Sequence, residues 1–287
     1  TLDTQAHTLD NTSGRLGTTT GNLTLHTGLL DNTAGLLQTA ATLTIDTGAA
    51  PLTNRDGGTL LAADTLDLHT TTLDNRGGTI DSQTATHLHT TTIDNTTAGH
   101  ISSNGTLQID GTTLTNTGGR LHSGGDTRLH LQDTLNNHDG RITAAGTLDI
   151  TTTTLDNHST PLTAPPATQT RAPTGAPDNG LYATHIQIAS TTLDNTAGTL
   201  SAAQNLTLTL SDTLTNTAGH LSAGATLDLT ADHLSNHTGT LLSGASQTLH
   251  LHRLTGDGRL HAGNALTLTL QDSLDTAGTL SATGLLT

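Results

Sequence analysis

A chain of 287 residues with a formal net charge of −15, 31% hydrophobic residues and no Phe, Trp, Met or Cys cannot build the core of an ordinary globular domain of that length. It also lacks Val, Glu and Lys and is dominated between its leucines by Thr, Asp, Asn, Gly and Ser, which disfavours helix. The negative charge and the single Tyr exclude a nucleic-acid interface of basic patches and aromatic platforms, and leucines held in fixed phase exclude disorder.

The phase comes from an internal repeat. The chain opens at Thr1 without a basic, apolar leader, and no run approaches the ~18 apolar residues of a membrane span. Leu2 to His7 read as the tail of a unit. From Leu9 the tripeptide Leu-Asp-Asn, or a variant, returns at Leu30, Leu52, Leu73, Ile93, Leu114, Leu135, Leu155, Leu193, Leu214, Leu234, Leu254 and Leu274, in steps of 20 to 22 residues with one step of 38. Strand alternation sends Leu and Asn inward and the intervening Asp outward. The third place is Asn in eleven units: Asn11, Asn32, Asn54, Asn75, Asn95, Asn116, Asn137, Asn157, Asn195, Asn216 and Asn236. An amide can donate to one neighbour and accept from another, so a buried asparagine ladder is expected. A Gly follows, as at Gly14, Gly35, Gly140, Gly198, Gly219 and Gly239, where a corner with positive φ is expected.

Beyond the Gly, an apolar and a small residue recur two apart, as in Leu121/Ser123, Ile142/Ala144, Leu200/Ala202, Leu221/Ala223 and Leu241/Ser243. They predict a second strand. A third is predicted at Leu23/Leu25, Leu43/Ile45, Leu66/Leu68, Leu107/Ile109, Leu129/Leu131, Leu148/Ile150, Leu206/Leu208, Leu227/Leu229, Leu249/Leu251 and Leu266/Leu268. The expected fold is all-β: a right-handed parallel β-helix (β-solenoid) of about thirteen coils, a thin interior of Leu, Ile and Ala, and a length of ~60 Å at the strand spacing.

The 38-residue step carries one insertion. Leu155-Asp156-Asn157 through Leu162 and Ala164 read as the first half of a coil, and Ile186/Ile188 as its last strand. An inserted loop is expected at about 165–182, rich in proline, with Pro165, Pro166, Arg171, Pro173, Pro177 and the only aromatic residue, Tyr182, as candidate binding residues. A tolerated surface loop is the plainer reading. Otherwise residues 1–287 read as one shaft, and both ends, stopping mid-unit without caps, are expected to continue into a longer protein.

No catalytic, cofactor or metal residues are assigned, and no cofactor is expected. Seventeen histidines are scattered through the unit; His87/His89 and His250/His252 pair along strands, and His138 and His158 share a place on adjacent coils. Two ligands do not make a metal site. Asp10, Asp31, Asp74, Asp94, Asp156 and Asp194 are expected to form an outward acidic stripe. Nine dispersed arginines and no evident cleft argue against an enzyme.

The unit Leu-Asp-Asn-x-x-Gly-x-Leu-x-Ala followed by Leu-x-Leu resembles the filamentous haemagglutinin repeat of large bacterial exoproteins exported by two-partner secretion, over essentially the whole chain. The resemblance implies a Gram-negative surface or secreted protein, an outer-membrane transporter as its partner during export, and an adhesive shaft that meets an unknown protein or glycan receptor on host or neighbouring cells, without nucleic acid or membrane insertion. It equally accommodates the delivery stalk of a contact-dependent growth inhibition toxin. A β-helical enzyme acting on polysaccharide is the third reading.

Overall fold

The computed structural model describes residues 2–160 and 179–287. Among them are 28 strands and no helix, joined in one parallel hydrogen-bonded network. Except in the end coils, each strand pairs with its equivalents one coil before and one coil after. The second-strand column, for example, runs Leu37, Leu60, Ile80, Ile101, Leu121, Ile142, Leu181, Leu200 in register. About thirteen coils stack in this way, and the fold is the parallel β-solenoid that the repeat predicts. A short apolar strand cannot bury its open face alone, so each coil closes its neighbour's; Leu23, Ile45, Leu60, Ile101, Ile150 and Leu214 are all fully inaccessible.

The coil has fewer separate strands than expected. In many coils the Leu-x-Leu strand and the next Leu-Asp strand fuse into one bent element, such as Leu23–Asp31, Thr65–Asp74 and Ala85–Asp94, whereas Leu43–Asp46 and Leu52–Thr53 stay apart. The bend is visible as a break in alternation: the inward residues Thr27 and Leu30, or Thr90 and Ile93, are three apart instead of two. A buried threonine sits on it. The hydroxyls of Thr27, Thr70, Thr90 and Thr152 donate to the carbonyl two residues on, at 3.2–3.3 Å, a local side-chain bond at the bend.

Two predicted Leu-x-Leu pairs are displaced by two residues. Ile109 pairs with Leu129, and Leu107 with Thr127, so Leu131 occupies the bend position opposite Gly111. Leu249 likewise pairs with Leu229, and Gln247 with Leu227. A polar residue therefore fills the first interior place of these coils, and Thr86 does so in a third. The buried hydroxyls are paired locally, Thr86 with Ser82 at 2.8 Å and Thr127 with Ser123 at 2.7 Å. Gln247 is not: neither atom of its buried amide has a partner among the described residues.

The insertion also falls elsewhere than expected. The strand Gly180–Ser190 places Leu181 opposite Ile142 and Ala183 opposite Ala144, which are the positions assigned above to Leu162 and Ala164. The extra residues thus separate the asparagine turn from the second strand. Tyr182 lies inside that strand, paired with Thr143 and Ser201, and not in a loop. Pro165, Pro166, Arg171, Pro173 and Pro177 lie outside the described residues.

Candidate binding surface

On the turn side of the interior the asparagine side chains are occupied by one another. Asn11 Nδ2 donates to Asn32 Oδ1 at 2.6 Å, and the same bond links each of the eleven asparagines to the next at 2.7–2.9 Å. Every bond points the same way along the shaft. It crosses the 38-residue step from Asn157 to Asn195 without interruption. It ends at Asn236, whose Nδ2 is buried and without a partner among the described residues, since Gly256 stands at the next place.

The glycine beside the ladder is required for a reason other than the one expected. Positive φ falls on the residue before it, as at Ser13, Ala34, Asp139, Ala197 and Ala218, with φ of 51–55°. The glycine N–H closes the turn on the asparagine carbonyl, Gly35 to Asn32 at 3.0 Å and Gly140 to Asn137 at 2.9 Å. A β-carbon on Gly35, Gly119, Gly140 or Gly219 would run into the asparagine Oδ1 of its own coil and the asparagine carbonyl of the coil before. Close approach to the ladder, rather than backbone handedness, selects glycine.

The outward aspartates of Leu-Asp-Asn cap the same turn. Asp10, Asp31, Asp94 and Asp194 each accept the backbone N–H two residues on, at 2.8–3.1 Å, a local bond for which Asp is well shaped. Asp74 accepts from both the backbone and the guanidinium of Arg76, and the Arg76 side chain holds its carboxyl below the ordinary carboxylate value.

Outside, the histidines are less scattered than the repeat phase suggested. His69 and His89 stand opposite one another on adjacent coils with rings parallel at 5.1 Å, and His138 stacks on His158 at 3.9 Å. The face around His69 alternates with carboxylates: His69–Asp46 at 3.3 Å, His87–Asp67 at 2.8 Å and His130–Asp110 at 3.6 Å. Among the described residues no three His or Asp side chains are placed to hold a metal ion.

One groove differs from this acidic surface. It is about 780 Å³ and open, and it lies on the outer face of the second-strand sheet over coils five to nine. One column of side chains there runs His100, Arg120, Arg141, Gly180 and its neighbour runs Ser102, His122, Thr143, Tyr182, Ser201. The Arg141 guanidinium lies 5.0 Å from the Tyr182 ring centre, a cation–π distance, and Tyr182 Oη donates to Asn179 O at 2.8 Å. His122 is 2.8 Å from the Thr143 hydroxyl. Burial pulls the His100 imidazole below its ordinary value, opposed by the Asp81 carboxylate at the end of the groove and aided by the positive charges of His122 and Arg120. Among the described residues no carboxylate forms an ion pair with Arg120 or Arg141.

The described ends of the insertion meet close by. Asp139 Oδ1 accepts from the Thr160 N–H at 2.7 Å and from Asn179 Nδ2 at 3.2 Å, while Oδ2 accepts from the Thr160 hydroxyl at 2.6 Å. Partial burial pushes the Asp139 carboxyl up, but these bonds and His138 outweigh it and leave the group below its ordinary value. Tyr182, singled out in the sequence, thus belongs to the groove; Arg120, Arg141 and the capping role of the outward aspartates were missed. The signal was available, since Arg120 and Arg141 directly precede Leu121 and Ile142 at one place in successive units.

A family model described as haemagglutinin repeat matches residues 1–51, 18–92, 84–164, 143–251 and 242–287, overlapping so as to cover the chain. Comparison with curated proteins and with solved structures gives no match.

Proposed function

Because the chain belongs to the haemagglutinin repeat family, we propose that it is the non-enzymatic, structural and adhesive shaft of a bacterial surface or secreted exoprotein, attaching to host or neighbouring cells along its length. The observation that carries this reading is the unbroken asparagine ladder. It fills the turn side of the interior with paired amides and leaves the outer faces of the sheets as the surface where partners can be met. A rod of about thirteen coils holds those faces at fixed spacing, so reach and repetition do the work that a cleft does in an enzyme. The family supports export through an outer-membrane two-partner transporter and display on a Gram-negative cell. The receptor is then a protein or glycan on the apposed surface.

Latex beads coated with residues 1–287 and overlaid on epithelial and on bacterial cells test the proposal. Attachment that saturates and is competed by the soluble chain is expected. Attachment no greater than that of beads bearing an unrelated β-solenoid would overturn the adhesive role and leave a passive spacer, as in a toxin delivery stalk.

A further inference from the structure

The groove over Arg120, Arg141 and Tyr182 is, among the described residues, the place where two arginines stand side by side on adjacent coils with no carboxylate paired to either. Arg120 and Arg141 are directly in register on adjacent parallel strands, and their Cα atoms are therefore separated by roughly the strand spacing of 4.8 Å. Two like charges held side by side cost energy unless an anion bridges or pairs them. Elsewhere on the outer faces clustered cations meet a carboxylate of the shaft, as in Arg76 with Asp74 at 2.6 Å or His87 with Asp67. Here neither arginine meets one among the described residues. The next position in the arginine column is Gly180, so the groove floor is free of side chain where the column reaches Tyr182.

We propose that this groove binds a carboxylate-bearing polysaccharide, a linear run of uronic acid residues lying along the shaft axis. A carboxylate matches the planar two-donor edge of a guanidinium, and a polyuronate carries one on every ring, so that two carboxylates of one chain can reach the two long arginine side chains. Arg120 and Arg141 then each take one. The Tyr182 ring holds the Arg141 guanidinium and walls the groove, while His100 and the Ser201 hydroxyl, which accepts from Ser222 and can still donate, are left to meet ring hydroxyls. This assignment deepens the attachment reading, for which it supplies the class of receptor.

Calorimetric titration of residues 1–287 with tetragalacturonate, with its methyl ester and with a heparin tetrasaccharide tests it. Tetragalacturonate is expected to bind and its methyl ester to bind at least about tenfold more weakly, as is fitting for the loss of charge-assisted hydrogen bonds. Arg120→Gln and Arg141→Gln are each expected to weaken tetragalacturonate by about tenfold. Arg259→Gln, in the same column but remote from the groove, is expected to leave binding unchanged, and all three variants to keep the parent circular dichroism. No binding, equal binding of the ester, binding of the heparin fragment alone, or insensitivity to both groove variants would overturn the assignment. Bead attachment measured in parallel separates the two readings: beads that adhere when tetragalacturonate fails to bind sink only the groove, and binding without adhesion sinks only the attachment role.

Discussion

Asn116 shows how little freedom a residue of the ladder has. Its Nδ2 donates to Asn137 Oδ1 at 2.7 Å, and its Oδ1 accepts from Asn95 at 2.7 Å. The two glycines that follow it separate two roles. Gly118 has φ of 63° with nothing within 4 Å of a would-be β-carbon, whereas a β-carbon on Gly119 would strike the Asn95 carbonyl and Asn116 Oδ1. Gly118→Asn should therefore cost under about 1 kcal/mol, because Asn tolerates the left-handed region. Gly119→Ala should cost more than about 2 kcal/mol, because it parts the ladder or the turn. Melting curves of the two variants check this, and equal losses would show that the ladder does not select Gly119. Gln247 makes the opposite case. Its buried amide has no partner among the described residues, and it stands between Leu227 and Leu266 in its column. Gln247→Leu is expected to stabilise the chain by about 1–2 kcal/mol, and a lowered melting temperature would mean that the amide is satisfied. The sequence showed that Asn lies inside but not why Gly follows it, since clash with a side chain one coil away is invisible to local turn chemistry.

Strands and turns followed the repeat wherever an apolar residue marked each inward place. Where Thr127 or Gln247 takes that place, the next leucine pair imitates the strand two residues on, a displacement that preserves alternation and so leaves no local sign. Only pairing with the coils on either side resolves it. The insertion failed for a related reason: Leu162 and Ala164 imitate the second strand at the right distance from Asn157, but Leu181 and Ala183 occupy it. Since Thr160 and Asn179 both bond Asp139, these two residues lie close together, and a short closure can join them. Deleting residues 164–176 is expected to keep the β-type circular dichroism and to shift the melting temperature by no more than a few degrees. A lost β signal would show that the segment is needed for the fold.

Taken whole, the shaft has two kinds of polar surface, and pH acts on them differently. Burial pulls the imidazoles of His100, His220 and His233 below their ordinary value. The unfolded chain binds protons at these sites more readily than the folded one. Their neutral forms therefore add full stability above the unfolded value of about 6.5, and that stability is lost as pH falls through and below it. The Asp46 and Asp74 carboxyls, lowered chiefly by the Gly48 N–H and by Arg76 respectively, contribute above about pH 4 and lose that contribution in stronger acid. His100→Gln/His220→Gln should thus retain more of its neutral melting temperature at about pH 5 than the parent, while the outward His–Asp pairs, common to both chains, cancel in the comparison. Equal falls would assign no cost to burying these rings. Family membership and architecture were legible from thirteen phased positions, twelve Leu and one Ile; the groove was not, because its residues, 20 or more apart in the chain, meet only when coils are stacked. That stacking is measured most directly by spin–spin distance in a chain that has no cysteine of its own. Thr44 and Thr248 occupy one outward column nine coil steps apart. Nitroxides on Thr44→Cys/Thr248→Cys should give a single narrow distance near 43 Å, nine times the strand spacing of roughly 4.8 Å. A broad distribution, or a mean far from that multiple, would contradict the stacked coils on which the shaft, the ladder and the groove all depend.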